Sequence, residues 1–365
     1  MARFDPKAFV LGTCFRNWGR PCPFEEGYTL LLPSPMDMPF LLRFSLESLL
    51  GIDTANCKQI LVVPDGWGDD RGKALRKVVE SFEDPRIEMV DLRAFDYLVI
   101  RSMRPPRSAA IHWLMVVNGT RLARCEYAFL HDSDAFFLES DGLERQYREC
   151  RERGMDTLGV TARWDPFFTK LGYSIPGTWE LMYSTRWARR YSPYEMKGVR
   201  RETPHGTQEF DSMLYPQYLD FPKGKVGVME QPPRLVHFNG TIFTYRIFRD
   251  RRGKPVVDEL FRILLLCLLE ELLPSKDGHR VTPPIDELVS GLTDSTAKVT
   301  YGSEAAIREY PIFRGMLDEL CHSPIFEGSR AGRIHELVKP FDDHFLAIGS
   351  RLEKSDGVFR AHGLG

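Results

Sequence analysis

The chain of 365 residues contains 43% hydrophobic and 27% charged residues, which are ordinary proportions for an ordered protein that folds in water. Its length exceeds what one core usually holds, so we expect a main domain with an appendage. The formal net charge of -2 lacks the basic excess of nucleic-acid-binding proteins, and we therefore expect no nucleic acid among the partners.

Seven cysteines are scattered along the sequence and form neither a disulfide framework nor a zinc-binding spacing. This pattern predicts a reducing, cytoplasmic compartment. Residues 1–6 carry no apolar signal segment. The most apolar run, residues 260–273, contains charged side chains and is too short to span a bilayer, so the sequence predicts no transmembrane segment.

From residue 28 onward, short apolar runs alternate with segments in which apolar residues recur at helical spacing. The runs predict buried strands, and the recurring segments predict helices, of which the third ends at Gly119. The predicted strands cover residues 28–33, 58–64 and 87–92, and the predicted helices cover residues 40–50, 71–82 and 108–118. Such alternation predicts the α/β class, with βαβ units and a mostly parallel central sheet flanked by helices.

An arginine-bearing loop, residues 101–107, precedes the third helix. Guanidinium groups can clamp phosphate oxygens through paired hydrogen bonds, which makes Arg107 a candidate for binding a phosphorylated ligand. A solvated surface loop explains the same residues equally well.

The next predicted strand runs directly into two aspartates. Residues 127–138 are mostly apolar on both sides of Asp132 and Asp134, and ligands collect beyond the carboxyl ends of strands in open α/β sheets. Side chains two apart in an extended segment point the same way, so the pair can offer oxygen ligands to one divalent cation. An Asp-x-Asp triplet also arises by chance. Carboxylates between apolar runs, however, carry a desolvation cost that a cation would offset.

Together these features resemble the nucleotide-binding half of the GT-A glycosyltransferases over residues 28–140, and the resemblance extends to about residue 245. It rests on a first strand that ends in a small-residue turn, a second strand that ends at Asp65, and a helix that leads into the Asp-x-Asp segment. The commonest bacterial members have an Ala-x-Asn-x-Gly pattern in that helix, and this chain departs from them because it has no clear match to the pattern.

The resemblance implies a GT-A fold and assigns roles to several residues. It implies that Asp132 and Asp134 hold Mn²⁺ or Mg²⁺ against the diphosphate of the donor. It also implies that Pro33, Ser34 and Asp65 contact the nucleoside.

Two carboxylates, Glu209 and Asp211, follow a loop that contains Gly, Pro and His. In inverting members of the resembled superfamily, an acidic residue in a comparable place removes the proton of the acceptor hydroxyl. A sugar hydroxyl is a poor nucleophile until a carboxylate within hydrogen-bond reach takes that proton. The resemblance therefore implies that Asp211 is the base, with Glu209 as the second candidate. The alternative explanation is that both are acidic residues at the start of a helix, where they complement the helix dipole.

A histidine followed by a glycine turn, His237-Phe-Asn-Gly240, comes after a short apolar run. Several GT-A families, the glycogenin-like ones among them, place a His-x-x-Gly here, and its imidazole completes the metal site. Manganese accepts one nitrogen among oxygens, so the resemblance implies the ligand set Asp132, Asp134 and His237. A core histidine is the alternative, and the Lys-Pro-Trp that often follows in the glycogenin-like group is absent.

Three residues between the Asp-x-Asp segment and Glu209 are candidates for sugar or acceptor binding. Trp164, Trp179 and Glu180 stand where GT-A enzymes commonly hold sugar and acceptor, and aromatic faces stack on the apolar faces of sugar rings. Packing of the same aromatic side chains under a loop explains them as well.

A composition change over residues 249–255 marks the expected end of the catalytic domain. We therefore expect a GT-A domain over residues 1–250 and a helical region over residues 251–365. The predicted helices of this region cover residues 256–273, 285–292, 305–321 and 333–353. The region shows no catalytic constellation, and three roles stay open for it: to bind the acceptor, to form a homo-oligomer or to meet a membrane surface.

The sequence as a whole predicts a metal-dependent, inverting hexosyltransferase. It would move a sugar from a nucleoside diphosphate sugar, with UDP favoured by superfamily frequency, to a saccharide, lipid-linked or small-molecule hydroxyl acceptor. Retention stays open because of the His-x-x-Gly segment. A sugar-nucleotide nucleotidyltransferase and a catalytically silent carbohydrate- or nucleotide-binding protein are the alternative interpretations.

Overall fold

The computed structural model describes most of the chain between residues 23 and 356. The described residues are 15, 18, 23–66, 70–91, 96, 108–250, 260–273, 280–297, 299–301, 303–326 and 328–356. The chain divides into two units, Met1–Leu235 and Val236–Gly365, and the division falls inside a short strand. The sequence predicts a later boundary, after residue 250, and that functional boundary stays a prediction.

A mixed sheet of seven strands forms the centre of the first unit. The described strands are β1 (Glu25–Ser34), β2 (Cys57–Pro64), β3 (Ile87–Met89), β4 (Cys125–His131), β5 (Ala135–Phe137), β6 (Thr157–Gly159), β7 (Glu180–Ser184), β8 (Arg200–Thr203), β9 (Gly206–Glu209), β10 (Val226–Val228) and β11 (Leu235–His237). The sheet has the order β10–β6–β7–β4–β1–β2–β3, β8 pairs with β9, and β5 pairs with β11. Neighbours in the sheet are parallel except at β7, which runs antiparallel to β4 and β6. The predicted mostly parallel α/β sheet is therefore confirmed.

Helices flank this sheet and form the second unit. The described helices are α1 (Pro39–Leu50), α2 (Asp70–Glu80), α3 (Ser108–Leu122), α4 (Gly142–Glu152), α5 (Pro166–Lys170), α6 (Thr185–Ala188), α7 (Leu214–Asp220), α8 (Thr241–Asp250), α9 (Leu260–Leu272), α10 (Ile285–Ser290), α11 (Glu304–Cys321) and α12 (Ser329–Asp356). The C-terminal helical region is confirmed in its described part. Residues 256–259, which the sequence adds to the helix at Leu260, lie outside the described residues.

The strand β1 is buried on both faces, which explains its continuous apolar sequence. Leu31 packs with Trp113 and Trp187 in one layer of the core. Leu30 and Leu32 pack in the layer on the other face. Because successive side chains of a strand point to opposite faces, a strand covered on both sides has no polar alternation.

Helix α3 continues through Gly119, where the sequence predicts its end. A Cβ at this position would lie only 3.0 Å from Cδ2 of Leu31 on β1. Glycine therefore serves the close approach of helix and strand here, and the prediction of a helix end was wrong.

The strand order places a change of direction between β1 and β4. The chain adds β2 and β3 on one side of β1 and returns to the other side with β4. In open α/β sheets, such a switch point, just outside the carboxyl ends of the strands, is where ligands bind. The turns after Ser34 and His131, the last residues of β1 and β4, meet at this edge.

Aromatic side chains pack against one another in the second unit. The ring of Phe261 on α9 lies 5.3 to 5.6 Å, between centroids, from the rings of Tyr301, Tyr310, Phe313 and Phe345. Rings of this size bury a large apolar area, and the same helix also buries Leu264 and Leu265 completely. No helix in the described ranges is both long and apolar enough to cross a bilayer.

Candidate metal centre

The two aspartates of the Asp-x-Asp segment occupy the turn between β4 and β5. The amide of Asp132 donates to the carbonyl of Trp179 at 3.0 Å, and the amide of Ala135 donates to the carbonyl of Asp132 at 3.1 Å. Asp134 is buried, with 4% of its surface exposed, and Asp132 is half-buried. The turn thus fixes the backbone from which both carboxylates project.

The turns after β1 and β2 lie against this segment. Ser133 donates its hydroxyl to the carbonyl of Pro33. The carboxylate of Asp65 accepts the amide of Met36, and the amide of Asp65 donates to the carbonyl of Ser34, both at 3.0 Å. The structure therefore brings Pro33, Ser34 and Asp65 together beside the aspartates, and their contact with a nucleoside stays a prediction.

His237, the last residue of β11, completes a group of three potential ligands. One ligand atom each from Asp132, Asp134 and His237 can be chosen so that all three lie within 4.8 Å of one another. The pairing of β11 with β5 explains this proximity, because β5 begins directly after Asp134. Two carboxylate oxygens and one imidazole nitrogen can share a single divalent cation.

The chemistry of this donor set fits the cation that the resemblance implies. Carboxylates this close repel each other, and the repulsion grows where burial lowers the local dielectric constant, as it does at Asp134. A divalent cation offsets that repulsion for both groups. Oxygen ligands suit Mg²⁺ and Mn²⁺ alike, whereas the imidazole of His237 favours Mn²⁺.

His112 on α3 is a member of the site that sequence reasoning missed. Its Nε2 lies 4.0 Å from Oδ1 of Asp132, and its Nδ1 lies 3.4 Å from the hydroxyl of Ser212. The sequence did contain a signal for this residue, because His112 is the one polar side chain within the otherwise apolar residues 110–117. A polar side chain on so apolar a helix usually has a polar partner or a function.

A second histidine precedes the first aspartate and is fully buried. Nδ1 of His131 lies 2.7 Å from Oε2 of Glu180, and neither side chain is more than 1% exposed. The two residues also face each other across β4 and β7. The ring of His131 stacks on Phe129 and Phe137. This pair fixes the end of β4. The carboxylate of Glu180 is engaged in it, and contact of Glu180 with a sugar stays a prediction.

The two candidate bases differ in their surroundings. Oδ2 of Asp211 lies 3.6 Å from Nη1 of Arg163, and its Oδ1 accepts the amide of Ser212 at 2.7 Å. Glu209 lies at the end of β9 on an exposed hairpin. Arg107, the candidate phosphate ligand, lies outside the described residues.

The two candidate tryptophans are placed differently. Trp179 is partly buried against the core layer that contains Leu30. The side chain of Trp164 is 88% exposed, in the loop before α5. Only Trp164 therefore presents a whole ring to solvent.

Comparisons of this chain with known proteins find similar solved structures and no similar sequence. No protein-family model matches the chain, and no curated protein matches it. Among solved structures, a mannosyltransferase from Pyrobaculum calidifontis, in complex with GDP-mannose and Mn²⁺, is 13% identical with a TM-score of 0.39. This match covers 96% of this chain and 89% of that chain.

Two further structures are of the same class. The galactosyltransferase LgtC, in complex with donor and acceptor sugar analogues, is 13% identical with a TM-score of 0.39, over 60% of this chain and 78% of that chain. Glucosyl-3-phosphoglycerate synthase from Mycobacterium tuberculosis, in complex with Mn²⁺, UDP and phosphoglyceric acid, is 11% identical with a TM-score of 0.35, over 62% and 72%. These structures are GT-A glycosyltransferases, the class that the sequence motifs resemble. At such identities and TM-scores they assign no subfamily, donor or acceptor to this chain.

Proposed function

We propose that this chain is a metal-dependent GT-A glycosyltransferase that moves a sugar from a nucleoside diphosphate sugar, first of all a UDP-sugar, to a hydroxyl acceptor. The group Asp132, Asp134 and His237, with ligand atoms within 4.8 Å of one another, carries the proposal. Its aspartates follow β4 at the switch point of the sheet, where such ligands bind. The turns at Pro33 and Asp65, beside the aspartates, would hold the nucleoside.

In the proposed reaction, the acceptor oxygen forms a bond to the anomeric carbon of the donor. The bond between that carbon and the diphosphate oxygen breaks, and the nucleoside diphosphate leaves as an anion. Asp132, Asp134 and His237 would hold Mn²⁺ or Mg²⁺, whose positive charge would stabilise this leaving group.

Asp211 is the proposed base if configuration is inverted. Its carboxylate would accept the proton of the acceptor hydroxyl as the new bond forms. The neighbouring Ser212 contacts His112, which in turn lies beside Asp132, so Asp211 is connected to the metal segment through two side chains. Glu209 is the second candidate, and retention would need neither carboxylate as a base.

The remaining parts of the proposal rest on residue type and on position in the sequence. Trp164, Trp179 and Glu180 are proposed to hold sugar or acceptor, Arg107 to hold phosphate, and the C-terminal region to bind acceptor or to pair subunits. The described cysteines are all free and buried, which supports the proposed reducing, cytoplasmic compartment.

The test is UDP binding by isothermal titration calorimetry, with Mn²⁺ and with EDTA, for the wild type and Asp134→Asn. We expect UDP affinity to depend on Mn²⁺ and to fall by about 100-fold in the variant, since one anionic ligand of a small set is lost. Asp141→Asn is the matched control. It removes a half-exposed aspartate before α4 that makes no capping hydrogen bond, and it should bind UDP as the wild type does.

Unchanged UDP affinity in Asp134→Asn would overturn the proposed site. Release of UDP from UDP-sugars in the presence of acceptors then tests turnover. Pyrophosphate release from UTP and a sugar phosphate would indicate a nucleotidyltransferase, and metal-dependent binding without any turnover would indicate a binding protein.

A further inference from the structure

His131 and Glu180 form a buried polar pair immediately before the Asp-x-Asp segment. Nδ1 of His131 lies 2.7 Å from Oε2 of Glu180, and both side chains are almost completely withdrawn from solvent. Nε2 of His131 has no hydrogen-bond partner among the described residues. Buried polar groups cost free energy unless they are hydrogen-bonded, so the contact with Glu180 is what offsets the burial of the imidazole.

Stability alone does not account for a polar pair at this position. Residues 128–130 of β4 are apolar and buried, and the ring of His131 packs against Phe129 and Phe137 as an apolar ring would. Replacing a buried polar pair by well-packed apolar side chains is often neutral or stabilising. A buried hydrogen-bonded pair can instead fix one arrangement of the groups around it.

Strand β7 contacts the start of the metal segment at two consecutive residues. His131 faces Glu180 across the antiparallel pair of β4 and β7. The amide of the next residue, Asp132, donates to the carbonyl of Trp179 at 3.0 Å. One contact is made by side chains and the other by the backbone, so together they fix the position and the direction of the chain as it reaches Asp132.

The imidazole also contacts the strands on both sides of the aspartates. Its ring stacks on Phe129 of β4, at 6.3 Å between centroids, and on Phe137 of β5, at 5.7 Å. β4 ends directly before Asp132, and β5 begins directly after Asp134. His131 therefore packs between the two ends of the turn that carries both carboxylates, and its bond to Glu180 holds that arrangement against β7.

We propose that His131 and Glu180 are positioning residues that set the orientation of Asp132 and thereby the affinity of the site for its divalent cation. Metal–ligand distances tolerate changes of only about 0.2 Å, so a small displacement of the turn is enough to weaken binding. The inference rests on the proposed function. It gives Glu180 a role that acts through the protein, as an alternative to the direct sugar contact proposed above.

The experiment measures the Mn²⁺ Kd of the full chain, in the presence of UDP, by electron paramagnetic resonance of free Mn²⁺. Glu180→Met keeps a side chain of similar volume and removes the acceptor, so we expect the Kd to rise by about tenfold. Glu180→Gln keeps an acceptor oxygen for His131, and its Kd should stay within about threefold of the wild type.

A double variant covers the case in which Glu180→Met does not fold. His131→Phe combined with Glu180→Leu replaces both polar groups by apolar ones, so neither is left buried without a partner. We expect its Mn²⁺ Kd to rise by about tenfold as well. Urea unfolding of every variant shows that binding is measured on folded protein.

Tyr183→Phe is the matched control, since Tyr183 is another buried polar side chain of β7. Its hydroxyl lies 2.6 Å from that of Thr120, and it faces Ala128 on β4. The variant loses a buried hydrogen bond of the same strand, so it should unfold at a lower urea concentration than the wild type and bind Mn²⁺ equally well. A purely structural role of His131 and Glu180 predicts this same result for their variants.

The outcomes separate this inference from the proposed function. Mn²⁺-dependent UDP binding in the wild type, with the same Mn²⁺ Kd in Glu180→Met and in the double variant, would overturn the positioning role alone. A higher KM for the UDP-sugar or the acceptor in Glu180→Met, at an unchanged Mn²⁺ Kd, would favour direct sugar contact and also overturn that role. UDP binding that does not respond to Mn²⁺ in the wild type would contradict the proposed function, and this inference with it.

Discussion

His112 connects two parts of the site that lie far apart in the sequence. One of its ring nitrogens faces Oδ1 of Asp132 at 4.0 Å, and the other faces the hydroxyl of Ser212 at 3.4 Å. Because side chains around a metal ligand set its orientation, their loss usually weakens metal binding even when they do not touch the cation.

We therefore expect His112→Leu to reduce Mn²⁺ affinity, and with it Mn²⁺-dependent UDP affinity, by about 10-fold to 100-fold. Calorimetric titration of Mn²⁺ in the presence of UDP measures this directly. His322→Leu is the control, since His322 is an exposed histidine at the end of α11. Equal Mn²⁺ affinity in His112→Leu and the wild type would show that His112 plays no part in the site.

Some residues of the site could be predicted from the sequence and others could not, for a physical reason. Asp132 and Asp134 stand out because two carboxylates between apolar runs are unusual within a single segment. The pairing of His131 with Glu180 depends on the register of two strands that are not consecutive in the chain. Local spacing carries no information on that register, and for this reason the pairing of Glu180 with His131 was not predicted.

Among the elements, helix α7 ends on a buried carboxylate that links two parts of the first unit. Asp220, with 2% of its side chain exposed, accepts a hydrogen bond from Nε1 of Trp187 at 2.8 Å and another from Lys223. Burial acts to raise the pKa of Asp220. The hydrogen bonds from Lys223, Tyr191 and Trp187 outweigh it, so its pKa lies below the usual 3.8.

A lowered pKa in the folded state makes the contribution of Asp220 to stability depend on pH. The unfolded chain binds the proton first as the pH falls, so the contribution is complete above about pH 4–5 and is lost at lower pH. We expect Asp220→Asn to lower the free energy of unfolding by about 1.5–3 kcal/mol at pH 7 and by less at pH 3. Urea unfolding at both pH values measures this, and Asp91→Asn, at an exposed position, is the control. An equal loss at both pH values would contradict the argument.

Elements with continuous apolar runs or with helical spacing were predicted, and the exposed polar hairpin was not. β1 and β2 are apolar along their length because both faces are covered, and their existence was evident. The hairpin of β8 and β9 is exposed and polar, so its residues show no burial pattern. The predicted helix end at Gly119 was wrong because a glycine that ends a helix and a glycine that admits a neighbouring strand look the same in the sequence.

For the whole molecule, the class of the sheet followed from the alternation of strands and helices, since parallel neighbours require crossovers. The insertion of β7 antiparallel between β4 and β6 did not follow, because that pairing is non-local. The same limit applies to His237, which reaches the aspartates through β11 and β5, and which only the resemblance to a known superfamily brought forward.

A cation and a diphosphate bound by the folded chain alone should stabilise the whole molecule. A ligand at 100 times its Kd adds about 2.7 kcal/mol to the free energy of unfolding, provided that the unfolded chain does not bind it. For a protein of this size we expect UDP and Mn²⁺ together to raise Tm by about 3–4 °C. The unfolded chain cannot hold Asp132, Asp134 and His237 within 4.8 Å of one another, so the shift should require Mn²⁺ and disappear with EDTA and in Asp134→Asn. Differential scanning calorimetry measures it, and a UDP-induced shift that survives EDTA would place the nucleotide away from this metal group.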